Sequence, residues 1–471
     1  MPEPGSVARS AGADLETLAR FTAQLEIGAI PGEIVRRAQA FLLYGLSVGV
    51  AGVAATSPHL AARALDAEYP GTEGPATRLV DGRRTIAGAA AFANAVLMHA
   101  RTQEDAHPAG HVGVVILPAA MAVAEQADAS ASDLLATIVA GYEVALRIGR
   151  DHVADASTRG LRSTPLYGVF GAAAAAARLL RLDPPRSMHA LALAANAAGG
   201  LREFVNAGTD EFPFHAGFAA RNGIMAALLA QAGVTAASTT LGGAAGFFRA
   251  FGEADKDYGR RIADRLGEAF ELLDVTYKPY PTCQFHRSVI RGVLALRDRV
   301  AERELQSMQI RMHPFEADFF GVRYAGPYTS FSQTFMSAPY CAALAWTSGA
   351  VTYRGLHDFD APELLRNVRK VEVIADPSRP RYMPRVAVRC SDGREQAWEE
   401  YAGGEGYRLT WQAAEAMTRA LCNETGVTGN AVSKLIAAVD RLARGGTTQA
   451  VVAACRAAIA EAEASVEPAN A

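Results

Sequence analysis

One loop in the sequence combines the two side-chain types that exchange protons near neutral pH. The stretch from His99 to Glu125 reads HARTQEDAHPAGHVGVVILPAAMAVAE and holds three histidines and an adjacent Glu-Asp pair. Pro108 and Gly110 break the loop before an apolar helix is predicted to begin. Imidazoles and carboxylates on a loop braced by a helix are typical of general acid–base chemistry. The alternative is a solvated turn with ordinary surface histidines.

A second cluster lies far downstream, where residues 277–288 read YKPYPTCQFHRS. A lysine held in a cleft loses hydration, which lowers its pKa toward that of a base, and a protonated lysine stabilises an enolate. We therefore predict a catalytic role for Lys278; the alternative is a surface lysine at the end of a strand. Cys283 has no paired base that the sequence identifies, so we assign it to substrate contact and not to nucleophilic attack.

The composition is that of an ordinary globular protein. It has 471 residues and a net charge of -3, with scattered Lys and Arg, which argues against a nucleic-acid partner. The five cysteines never form a CxxC pair, so their spacing indicates no disulfide framework, zinc site or iron–sulfur cluster and fits a reducing cytoplasm. The polar N-terminus does not resemble a secretory signal. The apolar run from Phe41 to Ala55 is short for a membrane span, so we predict a buried helix and a cytoplasmic protein without membrane contact.

The hydrophobic periodicity divides the chain into two domains. Apolar residues recur at helical spacing from Asp14 to about Arg265, and strand-like alternation follows at Met308–Pro314, Val368–Pro377 and Pro384–Gly393. Helical spacing resumes after residue 410. We predict a mainly α fold in which residues 1–271 form a large all-helical domain, residues 272–401 form an inserted smaller α+β lid domain, and residues 402–471 return to the first domain. A cleft between such domains is a common place for ligands to bind.

Seven segments, in order, resemble the MmgE/PrpD family, which includes 2-methylcitrate dehydratase, cis-aconitate decarboxylase and an iminodisuccinate epimerase. The segments are LARFTAQLEIGAIPGEIVRRAQAFLLYGLSVGVAG, AAAFANAVLMHA, AGYEVALRIG, GVFGAAAAAARLLRLD, GTDEFPFHAGFAARNGIMAALLAQAGVTAA, KPYPTCQFH and SFSQTFMSAPYCAALAWTSG. The resemblance implies a homodimer with a large helical domain and a smaller lid, a site between them, and no metal or organic cofactor. It also implies proton removal next to a carboxylate, followed by loss of water, loss of CO2 or reprotonation.

Part of the family pattern is kept in the histidine loop. The family usually has HALDFDDTH followed by HPG, and this sequence matches the second paired Asp with Asp105, the loop His with His107 and the HPG His with His111. It departs from the pattern at three positions, which are occupied by Thr102, Glu104 and Ala106.

The other family motifs are also mixed. The histidine of the family's GFHP segment is replaced by Arg162, and the lysine of its GT..K..H segment is replaced by Phe212, while His215 matches. Lys278 and His286 match the KPYPTCQFH segment, and Tyr324 in VRYAGP corresponds to a family tyrosine near the substrate. The lost lysine predicts a different or less charged substrate than a tricarboxylate.

Four residues are predicted to carry catalysis. His111 lies just before an apolar helix, whose N-terminus favours an anionic ligand, and is the predicted base. Asp105 is predicted to orient His107 or His111 through a hydrogen bond, Tyr324 to donate a proton, and Lys278 to act as base or enolate-stabilising cation. The alternatives are a helix-capping His111, a solvated Asp105 and a Tyr324 that only packs.

The remaining candidates are predicted to bind the substrate. Arg162 is suited to bidentate contact with a carboxylate, unless it forms a helix-flanking surface pair with Arg159. His215 is either a substrate contact or a buried structural histidine. The full substrate-binding set is Arg162, His107, His215, His286 and Cys283, and no metal ligand is predicted, since Pro108 and Gly110 separate His107 from His111.

Three functions fit these residues. The first is a lyase that dehydrates or decarboxylates a small carboxylic acid. The second is an epimerase or isomerase that deprotonates and reprotonates one carbon. The third is a family member that binds a metabolite without catalysis. The lyase and the epimerase both require that Lys278 and His111 face the same bound acid.

Overall fold

The computed structural model describes residues 4–300 and 304–465. The first three residues of the N-terminal segment, on which the expectation of a cytoplasmic protein partly rests, lie outside the described residues. Contacts within the chain group it into two compact units. The first comprises Met1–Leu201, Phe212–Val275 and Leu409–Ala471, and the second comprises Arg202–Glu211 and Thr276–Arg408. The sequence placed the corresponding boundaries at residues 271 and 401.

The fold is mainly α, as predicted, with twenty α-helices in the described residues. They are α1 (Pro4–Gln24), α2 (Gly32–Gly52), α3 (Thr56–Glu68), α4 (Ala87–His99), α5 (Gly113–Gln126), α6 (Ala131–Gly149), α7 (Val153–Thr158), α8 (Ser163–Leu179), α9 (Pro184–Asn196), α10 (Glu203–Ala207), α11 (Phe212–Gln231), α12 (Phe247–Phe251), α13 (Arg287–Arg299), α14 (Pro314–Ala317), α15 (Phe331–Met336), α16 (Ala338–Ser348), α17 (Pro362–Val368), α18 (Trp411–Glu424), α19 (Gly429–Arg441) and α20 (Thr448–Ser465).

Small residues let the helices of the first unit pack closely. α8 carries the alanine-rich segment and is buried along nearly its whole length, as its composition predicts. A Cβ added at Gly141 of α6 would lie 3.0 Å from the Gly171 carbonyl oxygen of α8. One added at Gly223 of α11 would lie 2.5 Å from the Cβ of Ala172. Side chains at these glycines would force the helices apart, so the crossings depend on glycine.

Helix α2 is the buried helix predicted from the run Phe41–Ala55. Its residues from Arg37 to Gly52 are buried, and the C-terminal helices pack against it. Arg37 donates to the Leu409 carbonyl oxygen at 2.8 Å, and Gln39 donates to the Val439 carbonyl oxygen at 2.9 Å. No single helix in the described ranges is both long and apolar enough to cross a membrane; α2 and α3 reach that length and composition only together, across an 89° bend.

The first unit also contains a small strand ribbon that the all-helical prediction missed. β1 (Ala76–Thr77) pairs antiparallel with β2 (Arg84–Thr85) between α3 and α4. Each strand is two residues long, which is too short for a period-of-two pattern to be read in the sequence.

The second unit is built on a four-stranded sheet in the order β4-β3-β5-β6. β3 (Leu305–Met312) pairs in parallel with β4 (Val371–Ala375) and antiparallel with β5 (Arg385–Cys390), and β5 pairs antiparallel with β6 (Glu395–Glu399). The three predicted strands are confirmed as β3, β4 and β5. β6 was missed because its sequence, EQAWE, has no β-branched residue and its first three residues are exposed.

Candidate functional site

The histidine loop lies between two helices of the first unit, from the end of α4 at His99 to the start of α5 at Gly113. The side chains from His99 to His107 are buried, including those of Arg101, Glu104 and Asp105. The interpretation as a solvated turn is therefore wrong. Gly113 lets the helix start pack tightly, because a Cβ there would lie 2.6 Å from Asp105 Oδ2.

A single buried carboxylate contacts two imidazoles in this loop. Glu104 Oε2 lies 3.1 Å from His99 Nδ1, and Glu104 Oε1 lies 3.5 Å from His111 Nδ1. The Glu104 side chain is 1% exposed, and the two ring centroids are 6.5 Å apart. A carboxylate in such surroundings is costly to bury unless polar groups compensate its charge. The two rings are in place to do so.

Arg162, directly before α8, adds a permanent cation to the cluster. One terminal nitrogen, Nη2, donates to His99 Nε2, while Nη1 donates to the Phe212 carbonyl oxygen and lies 3.3 Å from His215 Nδ1. Arg162 is 7% exposed whereas Arg159 is exposed, so the two do not form the alternative surface pair.

The guanidinium fixes the protonation of both histidines that it contacts. Arginine is always protonated and only donates hydrogen bonds, so His99 Nε2 and His215 Nδ1 must each offer a lone pair. Both rings are neutral in this arrangement. In agreement, burial lowers the pKa of His215 to about 3, and the Arg162 charge acts in the same direction.

The position of Asp105 corrects its predicted role. Its carboxylate Oδ2 accepts a hydrogen bond from the Tyr142 hydroxyl at 2.7 Å, and burial, followed by the Asp105 charge, raises the pKa of Tyr142. Asp105 does hold His111, but through its backbone: the carbonyl oxygen lies 2.7 Å from His111 Nδ1. The carboxylate that faces His111 is that of Glu104. The sequence alone could not distinguish these two adjacent acids, because the turn geometry decides which one faces the ring.

His107 closes a tight turn within the loop. It pairs with Gly110 through two backbone hydrogen bonds of 3.0 and 2.8 Å, and the Ala109 N–H donates to its Nδ1 at 3.1 Å. Gly110 has a φ of 120°, which favours glycine there. Burial, aided by the Arg150 charge, lowers the pKa of His107 to about 3, so the ring is neutral.

Phe212 stands where the resemblance expects a lysine, at the first residue of α11. Its ring is buried, 5.2 Å from the His99 ring in an edge arrangement and 5.5 Å from Arg162 Cζ. An aromatic ring here supports packing and cation–π contact instead of charge.

The second unit contains the other predicted cluster. Lys278 is 1% exposed, so the alternative of a surface lysine is wrong. Burial lowers the pKa of the fully buried His286 to about 3, and the Lys278 charge acts in the same direction. Burial raises the pKa of Cys283 to about 11, so the thiol is protonated at neutral pH and is a poor nucleophile.

Tyr324, also in the second unit, is half-buried and donates its hydroxyl hydrogen to the Pro327 carbonyl oxygen. Its side chain lines a cavity of about 430 Å³ together with Phe319, Arg323 and Gln333. Its hydroxyl is therefore engaged with backbone in this conformation, and a proton-donating role requires that this bond opens.

The structure thus groups the candidates by unit. The first unit brings together His111, Asp105, Arg162 and His215, and the second holds Lys278, Cys283, His286 and Tyr324. Sequence reasoning gave no role to His99 or Glu104. Both lie in the histidine loop, but the contact of His99 with Arg162 joins residues 63 positions apart. In the part of the chain that the structure describes, no group of three His, Cys, Asp or Glu side chains is arranged to hold a metal ion.

Comparison with known proteins identifies relatives of one kind. Residues 16–258 match the MmgE/PrpD N-terminal domain. A cis-aconitate decarboxylase-like protein, oryM, of Aspergillus oryzae is 35% identical over 226 residues, which is 46% of this chain and 46% of that relative's length. The cis-aconitate decarboxylase of Homo sapiens is 27% identical over 388 residues, covering 77% of this chain and 76% of the relative. That of Aspergillus terreus is 27% identical over 303 residues, 60% of each chain.

Proposed function

The chain belongs to the MmgE/PrpD family, and on that premise we propose that it is a lyase that removes CO2 from a small unsaturated carboxylic acid. The relatives named as cis-aconitate decarboxylases support decarboxylation over dehydration. The observation that carries the proposal is the buried cluster in which Glu104 contacts two imidazoles and Arg162 donates to one of them. This cluster places imidazole rings, which can exchange protons, beside the permanent positive charge of Arg162.

Decarboxylation needs such groups. When CO2 leaves, the electron pair of the broken C–C bond stays on the substrate and is delocalised toward a neighbouring carboxylate. A proton must then be delivered to carbon, and a cation or donor must stabilise the charge in the transition state. We assign the proton transfer to His111, whose Nδ1 faces the Asp105 carbonyl oxygen, so that Nε2 takes up a proton from solvent and then gives it to the carbon that has lost CO2.

The other predicted residues keep their assignments as part of the proposal. Lys278 stabilises the developing charge as an ammonium group or takes a proton as a base, and its burial supports both roles, since desolvation eases loss of the proton and strengthens its electrostatic effect. Arg162, His107, His215, His286 and Cys283 bind or shape the substrate site. The neutral state of the three histidines among them suits hydrogen bonding more than charge pairing.

Turnover in heavy water tests the proposed function. The purified enzyme is incubated in D2O with cis-aconitate and, separately, with unsaturated dicarboxylates, while CO2 release and deuterium incorporation are measured. We expect equal amounts of CO2 and of product carrying one deuterium at the protonated carbon. Deuterium washed into unreacted substrate without CO2 would identify an epimerase. Binding without exchange or turnover of any acid would favour a non-catalytic metabolite binder.

We also propose that the protein is a homodimer and that α11 contributes to the contact. Phe218, Met225 and Leu229 lie on one face of this helix and are 53%, 49% and 40% exposed. An apolar stripe of this kind on a helix is typical of a protein interface.

Light scattering tests the dimer. We expect a dimer mass for the unaltered chain and a monomer mass for the Phe218→Glu/Met225→Glu variant, because two carboxylates would be buried without partners. Tyr401→Glu, at an exposed aromatic residue of the second unit, is the matched control and should stay dimeric. A monomer mass for the unaltered chain, or a dimer mass for the double variant, would contradict the assignment.

A further inference from the structure

We propose that Glu104 is a positioning residue that, together with Arg162 at His99 and the Asp105 carbonyl oxygen at His111, keeps a proton on Nδ1 of both rings, so that Nε2 of His111 is the atom that takes up a proton from solvent and delivers it to carbon. The effect on turnover rests on the proposed function, but the proton positions do not. Glu104 is nearly fully buried, and its two carboxylate oxygens contact different rings. One acid therefore acts on both.

On the His99 side, the proton position follows from the partners. His99 Nε2 accepts from the Arg162 guanidinium, which has no lone pair to offer in return. The proton of the neutral ring is then on Nδ1, 3.1 Å from Glu104 Oε2. The neutral imidazole thus lies between the buried carboxylate and the buried guanidinium, with a hydrogen bond from the guanidinium and a close contact, but no hydrogen bond, with the carboxylate.

On the His111 side, two acceptors face the same nitrogen. The Asp105 carbonyl oxygen lies 2.7 Å and the Glu104 Oε1 atom 3.5 Å from Nδ1. Both are acceptors and neither can donate, so they favour a proton on Nδ1 and a lone pair on Nε2. The neighbouring Asp105 carboxylate is engaged with the Tyr142 hydroxyl and does not compete for this ring.

The length of the glutamate side chain matters to this arrangement. The resemblance expects an aspartate at position 104, which is one methylene shorter. Because Glu104 reaches one ring with each oxygen, an aspartate there should keep the charge but lose close contact with one ring. The Glu104→Asp variant therefore distinguishes the effect of the carboxylate charge from the effect of side-chain length.

Long-range ¹H–¹⁵N correlation spectra of protein labelled with ¹⁵N-histidine test the inference. His99→Gln and His111→Gln variants assign the two rings. In the unaltered protein we expect both rings as the Nδ1–H tautomer. In Glu104→Gln, His99 should keep that tautomer because Arg162 still requires it, whereas His111 should become a mixture of tautomers, because the glutamine NH2 group can donate to Nδ1 in competition with the Asp105 carbonyl oxygen. Glu104→Asp keeps the charge and should therefore retain the His111 tautomer.

The effect of the Glu104 variant on turnover is measured separately from the tautomers. Glu104→Gln should lower kcat by about tenfold to a hundredfold with little change in KM, the range found for residues that orient metal-bound imidazoles. Glu143→Gln is the matched control: Glu143 is also buried, but it pairs with Arg147 at 2.9 Å away from this cluster, so its loss should affect thermal stability and leave the tautomers unchanged.

Two results would overturn the inference: an Nε2–H tautomer for His111 in the unaltered protein, or an unchanged His111 tautomer in Glu104→Gln. An unaltered protein with the expected tautomers but no turnover of any acid would refute the proposed function and leave the positioning role of Glu104 in place.

Discussion

Replacing Lys278 with alanine is expected to lower kcat/KM for the proposed decarboxylation by about a thousandfold or more. The residue is a buried cation of the second unit, and its ammonium group is proposed to act on the developing charge or as the base. Losing one preorganised donor costs about 10²–10³ in kcat, and losing a general base costs about 10²–10⁴.

Steady-state kinetics and the titration of His286 check this expectation together. The Lys278 charge helps to hold the pKa of His286 low, so Lys278→Ala should raise the pKa of His286 toward its ordinary value while burial still keeps it depressed. Lys256→Ala, at an exposed lysine paired with Asp155, is the matched control and should retain activity. Turnover of Lys278→Ala within about threefold of the unaltered enzyme would remove Lys278 from the mechanism.

Replacing His111 with glutamine is expected to lower kcat by about 10²–10⁴, the usual contribution of general acid–base catalysis. Glutamine keeps a polar group near the Asp105 carbonyl oxygen and Glu104 but cannot exchange a proton at the position of Nε2. KM should change little, because the ring is proposed to act on the reaction more than on binding.

The pH dependence of kcat distinguishes this effect from a structural one. The pH profile of kcat should change shape in His111→Gln, because the proton-exchanging group is lost, while near-UV circular dichroism stays unchanged. His59→Gln is the control, since His59 is an exposed histidine of the first unit whose Nε2 lies 2.8 Å from the Val53 carbonyl oxygen. A variant that keeps both its rate and its pH profile would show that His111 is not the proton-transfer residue.

The elements of the fold were largely predictable because their patterns are local. The spacing of apolar residues in the sequence indicated the helices and three of the strands, and the burial of α2 followed from its apolar composition. The exposed edge of the sheet was not, since β6 has neither alternation nor β-branched residues. Residues 202–211 belong to the second unit through long-range contacts, such as the 2.8 Å hydrogen bond from the Ser332 N–H to Asp210, which no local pattern shows.

The location of the site was predictable from the sequence, but the contacts between its residues were not. The histidine loop and Lys278 were identified from residue types and resemblance, and burial at both places agrees with specialised roles. Which of the adjacent acids faces His111 depends on the turn closed by His107 and Gly110. The contact of His99 with Arg162 depends on the packing of helices distant in sequence, so neither could be derived from spacing.

The central claim is that His111 and Lys278 serve one reaction, and a double-mutant cycle on kcat/KM for CO2 release tests it most directly. The unaltered enzyme, His111→Gln, Lys278→Ala and the double variant are assayed with the same acid. Residues that act as a unit are strongly non-additive, so we predict a double variant about as slow as the slower single variant. A double variant in which the two losses multiply would contradict the claim.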